Sequence, residues 1–208
     1  MGTVTVGIDI GQKRDPTAIA VTEMEWRMVE GRQEDHYTAR HLSRLPLGVE
    51  YPAITARLGE VVTNVRKRGI PVRRVYVDAT GVGQPVVDQL KGAGQRITPV
   101  YFTHGERRTE NADGSITLGK GFLVSRLKVL MQTGRIHLAQ TDEMAAMQKE
   151  LLDYELRVNE NANETYGAFK VGAHDDLATA LGLAVQDQPG RPFEAIGGGV
   201  RPVTTIRQ

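Results

Sequence analysis

No cysteine occurs among the 208 residues. That absence excludes disulfide scaffolds, cysteine-bearing zinc sites and thiol nucleophiles together. Aromatic residues make up only 5% of the chain, too few for a platform on which unpaired bases stack. Neither charge sign dominates: 26 Lys+Arg stand against 25 Asp+Glu, for a net charge of +1. A global polycation is thereby excluded, while a local basic patch is not. No apolar run approaches the roughly 18–20 residues needed to span a bilayer. The first residues, Met-Gly-Thr-Val-Thr-Val, lack the basic and apolar regions of a signal peptide. The Walker pattern Gly-x-x-x-x-Gly-Lys-Ser/Thr is missing too, so ATP hydrolysis by that route is not expected despite Gly81 and Gly83. There is no internal repeat and no low-complexity block. A soluble, intracellular protein is the expectation.

What is present has an ordinary globular balance, 40% hydrophobic and 25% charged. One domain over residues 1–187 is expected, followed by a flexible tail over 188–208 rich in Gly and Pro. Residues 3–10, rich in β-branched side chains, read as a buried strand, and 17–22 as its hairpin partner. A third strand is expected at about 36–45. Ile54, Leu58, Val61, Val62 and Val65 share one helical face, which Gly69 ends. Strand 72–78, a glycine turn, a helix begun at Pro85 and strand 97–102 follow. The polar segment 103–118 reads as a mobile loop. Further helices are expected over 123–134, from Met144 to Leu152 and from Asp176, with a short strand at 136–138. Two β-like runs, about 154–159 and 165–171, suggest a second hairpin. The alternation of strands and helices predicts an α/β protein: a central sheet flanked by helices, with an extra β-hairpin before the last helix.

The informative residues are acids at element ends. Asp9 lies in an otherwise apolar strand, where a carboxylate costs free energy unless paired or bound to a cation. Asp78 closes a second apolar strand before the glycine turn. Asp175 and Asp176 open the last helix. Strand ends and helix starts converge on one edge of an open α/β sheet, so these acids can meet although distant in sequence. Like charges so gathered repel, and a hard divalent cation relieves the repulsion. Oxygen-only ligands favour Mg²⁺ or Mn²⁺ over Zn²⁺. Two such ions about 4 Å apart can activate a water and stabilise the leaving oxygen of a phosphodiester. Each residue also has a plainer role open to it: a turn acceptor for Asp9 or Asp78, a helix N-cap for Asp175 or Asp176. Asp15 can touch the same ions or serve an Asp-Pro turn. His174 can orient a water or only bond locally. Lys13, Arg14, Arg107, Arg108 and Lys120 are candidate contacts to a DNA backbone, or solvated surface charges.

Val-Gly-Ile-Asp-Ile-Gly with Asp15 downstream, Val-Tyr-Val-Asp-Ala-Thr-Gly-Val-Gly, Gly-Lys-Gly-Phe-Leu at 119–123, and Gly-Ala-His-Asp-Asp-Leu-Ala-Thr-Ala-Leu-Gly-Leu-Ala occur in that order. Over residues 4–186 the pattern resembles the nuclease domain of tailed-bacteriophage large terminase subunits. The resemblance implies an RNase H-like fold and a metal-dependent endodeoxyribonuclease that cuts concatemeric viral double-stranded DNA during genome packaging. It implies Asp9, Asp78 and Asp176 as catalytic metal ligands, Asp175 beside them, Asp15 and His174 as auxiliaries, and Mg²⁺ or Mn²⁺, two ions, as cofactor. The implied partners are double-stranded DNA, the terminase ATPase motor, the small terminase subunit and the portal, in the cytoplasm of the infected bacterial host, with no membrane contact. The family joins this domain to an N-terminal ATPase motor. These 208 residues carry none, so a monomer unable to translocate DNA by itself is expected. Three other readings remain open at the level of sequence. One is a RuvC-like junction resolvase or transposase-like nuclease of the same chemistry. The second is an actin-like or sugar-kinase fragment sharing Gly-Ile-Asp-Ile-Gly. The third is a non-catalytic DNA-binding module.

Overall fold

The computed structural model describes residues 2–11, 15–81, 83–153, 155–158, 164–167 and 174–187. Strands β1 (Thr3–Asp9), β2 (Ala18–Val29), β3 (Arg32–Arg44), β4 (Val72–Asp78), β5 (Thr98–Thr103), β6 (Arg108–Glu110), β7 (Ile116–Gly119) and β8 (Ile136–His137) form one mixed sheet. Its order is β6-β7-β5-β4-β1-β2-β3-β8. β1–β2–β3 is an antiparallel meander, whereas β4 lies parallel to β1 and β5 parallel to β4. A separate antiparallel pair, β9 (Glu155–Val158) with β10 (Glu164–Gly167), precedes the last helix. The helices are α1 (Tyr51–Lys67), α2 (Gly83–Gly92), α3 (Lys120–Gln132), α4 (Asp142–Asp153) and α5 (Asp176–Ala184). No helix among the described residues is long and apolar enough to cross a membrane.

The period-2 alternation of strands divides the core in two. Val4, Val6 and Ile8 of β1 pack with Val75 and Val77 of β4 against Ile54, Leu58 and Val62 of α1 and Val86, Val87 and Leu90 of α2. The opposite face carries Ala18, Ala20, Tyr37 and Tyr76, covered by α3, α4 and α5. Alternation therefore sends Gly7, Asp9, Tyr76 and Asp78 toward α5. Every residue of α5 is buried, so it lies on the sheet as an internal rod. Close approach requires Gly7, where a Cβ would overlap the carbonyl oxygen of Ala180 and crowd the backbone nitrogen of Ala184. The buried ends of the rod are satisfied from neighbouring elements, as they must be. Glu150 Oε2 accepts the Ala178 N–H at 2.9 Å. The Thr22 hydroxyl donates to the Ala184 carbonyl at 2.6 Å, and Arg126 Nε to that of Val185 at 2.6 Å.

Two readings of the sequence need correction or extension. The β2–β3 hairpin is longer than the runs 17–22 and 36–45. Val29 pairs with Arg32 across a two-residue turn in which Glu30 and Gly31 have φ of 50° and 78°. Both central residues are left-handed, as a type I′ turn demands. The outer arms carry charges because they extend into solvent. Segment 103–118, expected as a loop, contains the β6–β7 hairpin. Its turn is closed by Asn111 N–H to the Ser115 carbonyl (2.8 Å) and by Ser115 N–H to Asp113 Oδ1 (3.0 Å). The hairpin expected before the last helix is present as β9–β10. The tail 188–208 lies outside the described residues.

Candidate active site

The register of four adjacent strands assembles the site. Ile8 pairs with Val77, so Asp9 and Asp78 end neighbouring parallel strands side by side. Asp9 pairs in turn with Ala18, and Ala18 with Arg44. Paired residues share a face, so Asp78, Asp9, Ala18 and Arg44 form a row toward α5: two acids, a methyl group and a cation. α5 starts over this row. Its N-cap residue is Asp175 and its first residue Asp176, so the helix brings two more carboxyls to the row.

Asp9 and Asp78 are within hydrogen-bonding reach of each other. Loss of water, then the charges of Asp78 and Asp175, push the Asp9 carboxyl well above its ordinary range. Lys120 opposes this, and Asp176 adds less than Asp175. Asp78 is also raised, first by burial, against the Thr80 N–H that donates to its Oδ1 at 2.8 Å. The Thr80 hydroxyl in turn accepts the Phe102 N–H at 2.8 Å, which ties this turn to β5. Gly83 permits the turn to close, since a Cβ there would overlap the Asp78 carbonyl oxygen. Lys120 Nζ donates to Asp175 Oδ2 at 2.9 Å and lies 5.5 Å from the centre of the Phe102 ring. Burial draws the Lys120 ammonium down, but Asp175, Asp9 and Asp78 outweigh it and hold it charged.

Asp176 is buried, and Arg44 engages both of its oxygens, Nε to Oδ2 at 2.6 Å and Nη2 to Oδ1 at 3.2 Å. Arg44 Nη2 also pairs with Glu150 Oε1. Burial pushes the Glu150 carboxyl up to about 7, with Asp176 and Asp175 adding to the rise and the Ala178 N–H and Arg44 opposing it. The folded state therefore binds this proton more tightly than the unfolded chain. The associated stability is complete below the ordinary glutamate range and is lost as pH rises through 7. Glu150→Gln removes this titration and leaves the histidines common to both proteins. Its stability relative to wild type is expected to rise between pH 5.5 and 8.5 by something on the order of 2 kcal/mol. Urea unfolding at both pH values in EDTA measures it, and a constant difference would mean that Glu150 titrates ordinarily.

The expected residues divide as follows. Asp9, Asp78, Asp175 and Asp176 come together. His174 and Asp15 approach each other, Nδ1 to Oδ1 at 3.9 Å, beside Asp175. Lys120 sits within the acid cluster rather than on an open cationic surface. Arg107 is exposed on the loop before β6, and its carbonyl accepts the Gly119 N–H at 2.7 Å, next to Lys120. Arg108 does not join the group. It is half-buried and bonds Tyr76, near Arg73 and Asp187, beyond the other end of α5. Lys13 and Arg14 lie outside the described residues. Among the described residues, no three His, Asp or Glu side chains are placed so that together they could hold a metal ion. The donor set nevertheless fits a hard cation: paired acids with raised proton affinity, a third carboxylate held by an ammonium, and oxygen atoms throughout.

Arg44 and Glu150 were not singled out from sequence. Glu150 carried a signal, because it lies six residues after Met144 and three after Met147, on the buried stripe of α4. Arg44 shares a strand face with Leu42, two residues away, and offered only that hint.

The arrangement is that of an RNase H-like domain, an α/β fold with acids at the ends of its central strands. Among solved structures it is similar to the large terminase nuclease of the thermophilic phage G20c, with a TM-score of 0.61 and 21% identity over 88% of this chain and 81% of that one. It is also similar to the large terminase nuclease domain of bacteriophage SPP1 with bound Mn, at 0.52 and 14% over 88% and 84%. The Mn-soaked terminase nuclease domain of human cytomegalovirus follows at 0.51 and 12% over 88% and 82%. In sequence, no family model and no curated protein matches the chain. At these identities the likeness carries the fold.

Proposed function

We propose that the chain is a divalent-cation-dependent endodeoxyribonuclease, the nuclease part of a large terminase, cutting concatemeric viral double-stranded DNA during packaging. The observation that carries this reading is the side-by-side placement of Asp9 and Asp78 beneath the acidic start of α5. It is supported by a fold shared with terminase nucleases, that of bacteriophage SPP1 among them with bound Mn. Asp9, Asp78, Asp175 and Asp176 would hold the ions, with Asp9 between the others. Bound Mg²⁺ or Mn²⁺, two ions in our reading, supplies water activation and charge neutralisation at the scissile phosphate.

The chain's own groups do the rest. The strand ends fix Asp9 and Asp78, and the Thr80 N–H holds the Asp78 carboxylate in one orientation. Lys120 balances the negative cluster and holds Asp175 by an ion pair at 2.9 Å. Arg107 stands exposed beside it, where a DNA phosphate can be met. The ATPase motor, the small terminase subunit and the portal are the proposed partners, and the cytoplasm of the infected host is the proposed place of action.

The test is plasmid nicking and linear duplex cleavage in millimolar Mn²⁺ or Mg²⁺, with a four-way junction as competing substrate. Cleavage of plain duplex that rises across the millimolar range and stops with EDTA is expected. Activity untouched by excess EDTA would refute metal chemistry. Cleavage confined to the junction would reassign the domain as a resolvase.

A further inference from the structure

Asp176 differs from the other three acids in its surroundings. Asp9 and Asp78 face each other, and Asp175 meets an ammonium. Asp176 is enclosed by groups from two elements that the acidic motifs do not contain. Arg44, the last residue of β3, takes both of its oxygens at 2.6 and 3.2 Å. Glu150, on α4, pairs with Nη2 of the same guanidinium, the nitrogen that also reaches Asp176 Oδ1. The second Glu150 oxygen accepts the Ala178 N–H at 2.9 Å, one of the donors that a helix start leaves without an internal partner. Asp175, at the N-cap, makes no capping hydrogen bond with its side chain. Glu150 thus performs from outside the helix the task an N-cap residue normally performs.

We infer that Arg44 and Glu150 are positioning residues for the acidic pair. Glu150 caps α5 in place of Asp175, so the Asp175 carboxylate is left to the cluster of Asp9, Asp78 and Lys120. Arg44 fixes the Asp176 carboxylate through both oxygens. Each carboxylate oxygen has two lone-pair positions, so a gripped oxygen can still face an ion. The guanidinium fork sets the rotamer that an aspartate at a helix start would otherwise exchange with others. Ala18, buried between Asp9 and Arg44 in the strand row, keeps the gap clear for it. A lysine cannot reproduce this fork. The inference rests on the metal-nuclease reading, because a fixed carboxylate geometry matters most when an ion must be bound.

The experiment measures Mn²⁺ binding by electron paramagnetic resonance, without DNA, on wild type, Arg44→Lys and Glu150→Ala. Beside it run the thermal midpoint in EDTA and the hydrogen exchange of the Ala178 amide. Arg44→Lys is expected to weaken Mn²⁺ binding about tenfold, as loss of an outer-shell partner does, with the KM for DNA unchanged. Glu150→Ala is expected to speed Ala178 exchange and to weaken Mn²⁺ binding as well. If wild type binds Mn²⁺ and cuts DNA while Arg44→Lys binds within a factor of about two, the positioning role is overturned and the nuclease reading stands. If wild type neither binds Mn²⁺ nor cuts, the nuclease reading itself fails. Should Glu150→Ala not fold, Arg44→Lys alone decides.

Discussion

Asp9→Asn is expected to reduce metal-dependent nicking to below about one hundredth of wild type while leaving the fold intact or more stable. The two effects share one cause. Asp9 stands where water is largely excluded and where Asp78 and Asp175 repel its charge. The ionised form is costly there, and a cation is what makes it tolerable. An asparagine matches its shape without the charge, so the cluster relaxes in the absence of metal and the thermal midpoint in EDTA stays level or rises. The same substitution removes one negative charge from the carboxyls that would hold the cation, so Mn²⁺ binding falls with activity. Asp78→Asn follows the same logic, since an asparagine oxygen can still accept the Thr80 N–H. Asp176→Asn is expected to abolish nicking as well, because the Arg44 fork then holds an uncharged group. Nicking by Asp9→Asn above about a tenth of wild type would show that the carboxylate row is not the catalytic centre.

Why the row was legible in sequence, while its supports were not, follows from how each is encoded. Asp9 and Asp78 interrupt apolar β-branched runs at their last positions, so burial and location are both local properties. Asp175 and Asp176 begin an alanine-rich helix, which is equally local. The Glu150–Arg44 contact joins residues 106 positions apart. It depends on α4 crossing the end of β3, and no periodicity reports that crossing. Lys120 was legible as a candidate DNA contact, but its place among the acids was not. Its environment is set by Asp175, 55 residues later. The sheet shows the same division. β1, β4 and β5 are buried strands of ordinary length. β6 and β7 have three and four residues, too few for alternation to separate them from loop, and only the turn Asn111–Ser115 marks them. The outer arms of β2 and β3 run into solvent, where Trp26, Met28 and Val29 are exposed among Glu25, Arg27 and Arg32, so no buried face there marks the strand.

The site also depends on how near α5 lies to β1, and Gly7→Ala is the sharpest probe of that distance. A Cβ at Gly7 meets the Ala180 carbonyl oxygen and the Ala184 nitrogen, which are helix backbone and cannot swing away. The helix must retreat or tilt. Its far end is held by Thr22 and Arg126, and its near end by Glu150 and Arg44. Moving the rod strains one set or the other, and a loss of about 3 kcal/mol in urea unfolding is expected. Gly182→Ala is the matched control. There the nearest atoms to a new Cβ belong to the buried Leu123 side chain rather than to backbone, and alanine offsets part of the crowding by raising helix propensity by about 1 kcal/mol. That variant is expected to lose clearly less stability than Gly7→Ala, because a side chain yields more readily than helix backbone. Gly7 lies two residues before Asp9 on the same strand face, so a retreat of α5 at this point also widens the gap between Asp9 and the acidic pair. Nicking by the folded fraction of Gly7→Ala should therefore fall by more than the lost stability accounts for, with higher Mn²⁺ needed for half-maximal rate. Equal stability of the two alanine variants would mean that α5 floats over β1. A site built on their close contact could not then be the one that binds the ions.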